Sequence, residues 1–103
     1  MEKLFIYGTL RDAKLREKLV GRDIPKGKED KLMGFQMSSI SDEGFCYPIL
    51  IKKETSKEII EGEIIEVTPV ELIMLDRYEG DLYDRIEVVL KSGTKAWLYI
   101  EAE

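Results

Sequence analysis

The chain contains no histidine, no asparagine, one glutamine (Gln36) and one cysteine (Cys46). Without histidine or a second thiol, it cannot assemble a zinc cluster, a Cys-His pair or a Ser-His-Asp triad from its own residues, and no metal or cofactor is expected. A lone cysteine forms no internal disulfide, which agrees with a reducing, cytoplasmic compartment. Long hydrophobic runs are missing as well. None approaches the roughly 20 residues of a membrane span, and the N-terminus lacks a charged-then-apolar signal pattern, so no membrane partner is expected. Basic residues are the minority, 16 against 21 acidic ones for a net charge of -5, and they are interspersed with the acids. That balance disfavours nucleic acid as a partner. Scarce Asn and Gln beside abundant Lys and Glu is a bias associated with proteins of hyperthermophiles.

What is present suits one globular domain over residues 1–103. The 44% hydrophobic content can supply a core, and no run of like charge is long enough to suggest a disordered tail. Leu4-Phe5-Ile6-Tyr7 is too short for a helix and ends at Gly8, so it reads as a buried strand. A helix is predicted over about Ala13 to Val20, capped by Asp12, with Leu15 and Leu19 one turn apart. A strand, a glycine turn and a helix start leave unpaired backbone N–H groups at the Gly8-Thr9-Leu10-Arg11 junction. Such groups can cradle a carboxylate or phosphate, or the segment can be an ordinary connection.

The second predicted helix has readable ends. Thr68 is its N-cap, Pro69 takes the first position, Glu71 completes a capping box and Gly80 stops it. Leu72, Leu75 and Glu79 then share one stripe, which places an acid in line with the apolar face at the helix C-terminus. Both the macrodipole and burial beside leucines disfavour its charge, so its pKa is expected to rise. A general base poised near neutrality fits this placement, and so does a surface glutamate on a fraying turn.

Gly21 to Glu29 reads as a surface loop. Strands are predicted over Leu32 to Met37, with Met33, Phe35 and Met37 on one face, and over Phe45 to Ile51, after a polar turn at Ser38 to Gly44. Cys46, inside the second of these, is expected to be a small buried filler and not a nucleophile. Further strands follow at Ile59 to Val67, Leu82 to Leu90 and Lys95 to Ile100, and Gly62 marks a bulge or close backbone approach. Tyr83 and Arg85 lie on one face of the fifth strand, with Arg85 expected to line a cavity or brace Glu79 through an ion pair. Six strands and two helices in this order predict a mixed α/β (α+β) fold. The expected form is a small six-stranded mixed barrel or strongly curled sheet, with a cavity between the first strand's end and Glu79.

Tyr7-Gly8-Thr9-Leu10, Tyr47-Pro48, Glu61-Gly62-Glu63, Leu75-Asp76 with Glu79, and Tyr83-x-Arg85 together resemble the gamma-glutamylcyclotransferase-like family. The resemblance covers nearly the whole chain and is strongest to the short gamma-glutamylamine cyclotransferase-like branch. It implies a fold with a cavity beside the tyrosine-glycine turn, and a reaction in which the substrate's own α-amine attacks its γ-carbonyl to release 5-oxoproline. By position it implies Glu79 as catalytic acid/base, Tyr7, Gly8, Thr9, Leu10 and Tyr83 as substrate-binding, and Tyr47 and Arg85 in support. The implied partner is a small gamma-glutamyl substrate, with the chain a monomer or weak homodimer. Two segments depart from the branch. Arg11-Asp12-Ala13-Lys14 runs directly into a helix, and the stretch from Glu79 to Tyr83 is shorter, both at the expected pocket rim. A non-catalytic binding domain of the same fold is the alternative.

Overall fold

The computed structural model describes residues 1–102, the side chain of Asp42 excepted. Seven strands form: β1 (Glu2–Ile6), β2 (Lys28–Leu32), β3 (Phe35–Asp42), β4 (Phe45–Lys52), β5 (Ile60–Val67), β6 (Tyr83–Val89) and β7 (Lys95–Glu101). Helix α1 spans Ala13–Val20 and α2 spans Pro69–Glu79, with a short 3-10 turn at Thr9–Arg11 and another at Gly80–Leu82. The chain therefore has one strand more than the pattern predicts. The segment expected as a single strand over Leu32 to Met37 is split at Gly34, which takes a positive φ of 89°. The chain turns there from β2 into β3, and β3 runs on through Ser38 to Asp42, where a polar turn was expected. Serines accept strand geometry here because β3 pairs with β4 in full register, from Phe35 opposite Lys52 to Asp42 opposite Phe45.

Strands β2, β5, β1, β7 and β6 make one sheet in that order, while β3 and β4 form a separate two-stranded ribbon. The larger sheet is mixed: β1 runs parallel to β7 and antiparallel to β5. It curls until Lys91 N–H, in the β6–β7 turn, donates to the Lys31 carbonyl of β2 at 2.8 Å. No ladder joins the two edges, so the sheet is strongly curled but does not close into a barrel.

Alternation along the central strands builds a core on each side of the sheet. Leu4 and Ile6 of β1, Ile65 and Val67 of β5, and Tyr99 of β7 pack with Leu72 and Leu75 of α2. On the other side Phe5, Ile64 and Leu98 pack with Phe35 and Leu50 from the ribbon. Gly62 lets β5 pack closely on β1, since a Cβ there would lie 2.4 Å from the Ile6 carbonyl oxygen and 2.7 Å from the Phe5 ring. In α1, Arg16 and Val20 are buried while Leu15 and Leu19 are only half-buried, a rotation of the buried face from the expected one. Of the face expected for Met33, Phe35 and Met37, only Phe35 is buried. Among the described residues no helix is long and apolar enough to cross a membrane.

Candidate active site

Two chain segments converge on one cavity of about 330 Å³. The first is the exit from β1. Tyr7 and Gly8 lead into the Thr9–Arg11 turn, which closes through Arg11 N–H to the Gly8 carbonyl and Asp12 N–H to the Thr9 carbonyl, each at 3.0 Å. Asp12 then caps α1, its Oδ1 accepting from the Lys14 and Leu15 amides. The Thr9 and Leu10 amides, first in the turn, have no acceptor within it.

The second segment is the end of α2. Thr68 Oγ1 accepts from the Glu71 amide at 3.1 Å while Glu71 Oε1 accepts from the Thr68 amide at 2.8 Å, which completes the expected capping box. Leu72 and Leu75 pin the helix to the core. Gly80, with φ of +68°, ends it and donates its N–H to the Asp76 carbonyl. Only glycine takes that backbone state without strain. Glu79 is thereby the last helical residue, half-buried on the cavity wall.

Tyr7, Gly8, Thr9, Leu10, Tyr47, Glu79 and Tyr83 all line this cavity. Its remaining wall includes Pro48 from β4, Tyr99 from β7, and Tyr78, Asp81 and Leu82 around the end of α2. Burial pushes the Glu79 carboxyl up to about 7. No hydrogen-bond or ion-pair partner holds this carboxyl among the described residues. Its charge acts on the phenols of Tyr7, Tyr83 and Tyr99. Tyr7 donates to the Tyr99 carbonyl at 2.6 Å and Tyr83 to the Pro48 carbonyl at 3.0 Å, so both rings are fixed by backbone oxygens. Burial and then the Glu79 charge hold Tyr83 up at about 12. Tyr7 is raised further, by burial first and then by Tyr83 and Glu79. Both remain donors at neutral pH.

Arg85 stands outside the cavity and does not pair with Glu79. Its Nε and Nη2 donate to the two carboxylate oxygens of Asp76 at 2.8 and 3.1 Å, and its guanidinium lies over the Trp97 ring at 4.3 Å. Asp76, three residues before Glu79, offers an acceptor on the strand side of α2, and a bidentate fork satisfies both partners there. The same Asp76 oxygen Oδ1 accepts from Tyr99 at 2.7 Å, and burial with that bond raises the Tyr99 phenol. Asp76 was visible beside Leu75 in the sequence, but its partners come from β6 and β7 and no local spacing identifies them. Cys46 is exposed, contrary to the expectation of a buried filler, with its Sγ 3.5 Å from the Ser41 hydroxyl across the ribbon. The ribbon's outer face is open there, so an apolar neighbourhood in sequence does not become burial. Among the described residues no group of three or more His, Cys, Asp or Glu is placed to hold a metal ion.

The curled mixed sheet with its two helices is a fold found in other solved proteins. A protein from Arabidopsis thaliana solved in solution has a TM-score of 0.78 at 26% identity, over 97% of this chain and 68% of that one. An uncharacterised protein from Pyrococcus horikoshii has a TM-score of 0.73 at 23% identity, over 100% of this chain and 80% of that one. A gamma-glutamyl cyclotransferase shares the fold with a TM-score of 0.79 at 15% identity, over 99% of this chain and 67% of that one. The chain belongs to the family described as gamma-glutamyl cyclotransferase, AIG2-like, whose model matches residues 4–103. Comparison with curated proteins gives no match.

Proposed function

We propose that the protein is a gamma-glutamyl cyclotransferase that cleaves a small gamma-glutamyl amine or amide, with Glu79 as general acid/base. The observation that carries this proposal is an unpaired carboxyl raised to about 7, facing the Tyr7 to Leu10 turn across a cavity of about 330 Å³. That volume lies in the range of small-ligand sites.

In the proposed reaction Glu79 takes a proton from the substrate's α-ammonium. The freed lone pair attacks the γ-carbonyl carbon and a C–N bond forms, giving a tetrahedral intermediate whose oxygen carries the charge. The amides of Gly8 to Leu10 hold the substrate carboxylate or that oxyanion, where one well-placed donor is worth roughly 3 kcal/mol. Protonated Glu79 passes its proton to the departing nitrogen as the old C–N bond breaks. The ring nitrogen then gives its extra proton to Glu79, which discharges it to water. The products are 5-oxoproline and an amine. Because the nucleophile belongs to the substrate, the protein's main task is to hold the chain folded on itself, and oriented neighbours reach effective molarities of about 10⁵ to 10⁸ M. A group with a pKa near the working pH can accept and return a proton at comparable cost.

Among the described residues the cavity's charged lining, Glu79 and Asp81, is acidic, and Tyr47, Tyr78 and Tyr83 stand beside it. This lining suits an amine leaving group better than one bearing a carboxylate. The test is release of 5-oxoproline from a panel of gamma-glutamyl amines, dipeptides and amides. Turnover of at least one member is expected, with loss of activity in Glu79→Gln. A panel inert across the temperature range in which the protein stays folded overturns the proposal, and equal turnover by the variant removes Glu79 from the mechanism.

A further inference from the structure

Arg16 is 2% exposed, the most deeply buried charged side chain described in this protein. It sits in the first turns of α1, and a long helical side chain folds back toward the helix N-terminus. Its guanidinium thereby reaches the Leu10 carbonyl, to which Nη1 donates at 2.7 Å. Its Nε has no partner, and among the described residues no carboxylate lies within ion-pair distance. A buried guanidinium stays charged and is costly to keep without a counter-ion. The contrast with Arg22 and Arg85 is direct, since each of those is matched to a carboxylate, Glu71 and Asp76 respectively.

This unmatched cation lies behind the turn that walls the cavity. Leu10, which it holds, is a cavity-lining residue, and the other charges on that wall are the acids Glu79 and Asp81. A gamma-glutamyl substrate brings a carboxylate into this acidic space, and among the described residues no lysine or arginine lines the cavity to receive it. We infer that Arg16 is a positioning residue which makes the Tyr7 to Leu10 turn selective for a carboxylate. It fixes the Leu10 carbonyl on the core side and supplies, through the turn, the positive potential that the lining lacks. Low dielectric between the guanidinium and the turn preserves that potential where an exposed lysine would be screened. The inference rests on the proposed cyclotransferase function.

The experiment compares binding of 5-oxoproline, which carries the carboxylate, with binding of its carboxamide, which does not, in wild type, Arg16→Met and Arg16→Lys. Calorimetry supplies the affinities, and turnover on an active panel member is measured alongside. Wild type is expected to bind 5-oxoproline at least ten-fold more tightly than the carboxamide. Arg16→Met should lose that preference while holding the carboxamide unchanged, and should raise KM about ten-fold with kcat within about three-fold. Arg16→Lys should restore part of the preference. Equal weakening of both ligands in Arg16→Met marks a merely structural role and overturns the inference, as does an unchanged preference. If Arg16→Met does not fold, wild type decides the matter, because equal affinity for the two ligands overturns the inference and a ten-fold preference that persists in folded Arg16→Gln does so too. Absence of both turnover and 5-oxoproline binding in wild type is the separate failure of the cyclotransferase proposal, and the inference falls with it.

Discussion

At the scale of single residues, Glu79 combines a cost to stability with a chemical opportunity. In the unfolded chain it titrates near the ordinary carboxylate value of about 4.3. In the folded protein burial moves it to about 7. Between those values the folded state keeps a proton that the unfolded state has released, so stability is full below the lower value and falls as pH rises through the upper one. Glu79→Gln is never charged and escapes this loss. Allowing for solvent screening of the half-buried carboxyl, urea unfolding should find the variant more stable than wild type by about 1–3 kcal/mol at pH 8 and equal to it near pH 4. A difference independent of pH would mean that Glu79 is not perturbed by burial. If the proposed mechanism holds, kcat/KM should rise tenfold per pH unit up to about pH 7 and then level as Glu79 becomes the ionised base. At Cys46, exposure predicts rapid reaction with a thiol reagent in the native state and a change within about 0.5 kcal/mol for Cys46→Ser.

At the scale of elements, α2 is the part whose sequence and structure agree most closely. Thr68, Pro69, Glu71 and Gly80 act through hydrogen bonds and dihedral angles within a few residues, so their roles are visible without knowing the fold. Thr68→Ala should cost about 1 kcal/mol by removing one half of the capping box. The Arg22 fork on Glu71, at 2.6 and 2.9 Å, joins the cap to the segment after α1 and holds the Glu71 carboxyl below its usual range. The other end of α2 depends on the sheet. Asp76→Ala would leave the Arg85 guanidinium, half-buried against Trp97, without its carboxylate, and would free the Tyr99 hydroxyl. A loss of roughly 1–3 kcal/mol in denaturant unfolding is expected, against little change if the pair is effectively a surface contact. The ribbon of β3 and β4 is the element the sequence pattern describes least well. A serine-rich stretch resembles a turn by composition, and only its partner strand, eight residues in register, makes it a strand.

At the scale of the whole molecule, the curled sheet joins segments far apart in the chain. Gly62 lets β5 press against β1, and β1 delivers the Tyr7 to Leu10 turn to the cavity. Gly62→Val should therefore overpack the β1–β5 contact and destabilise by about 1–3 kcal/mol or more, with any turnover reduced as the turn shifts. Normal stability in this variant would mean that the two strands can separate without cost.

The sequence by itself determined the ends of both helices, the β1 strand and its glycine turn, the mixed α/β class and an acid in line with an apolar helix face. Each of these follows from interactions within a turn or from the two-residue and 3.6-residue periods. Only the tertiary structure decided that the sheet curls without closing, that Arg85 belongs to Asp76 and not to Glu79, that Cys46 is outside, and that Arg16 is buried beneath the cavity turn. Those outcomes depend on which faces meet across long chain separations, and a periodic pattern fixes the face a residue shares but not the surface that face will touch.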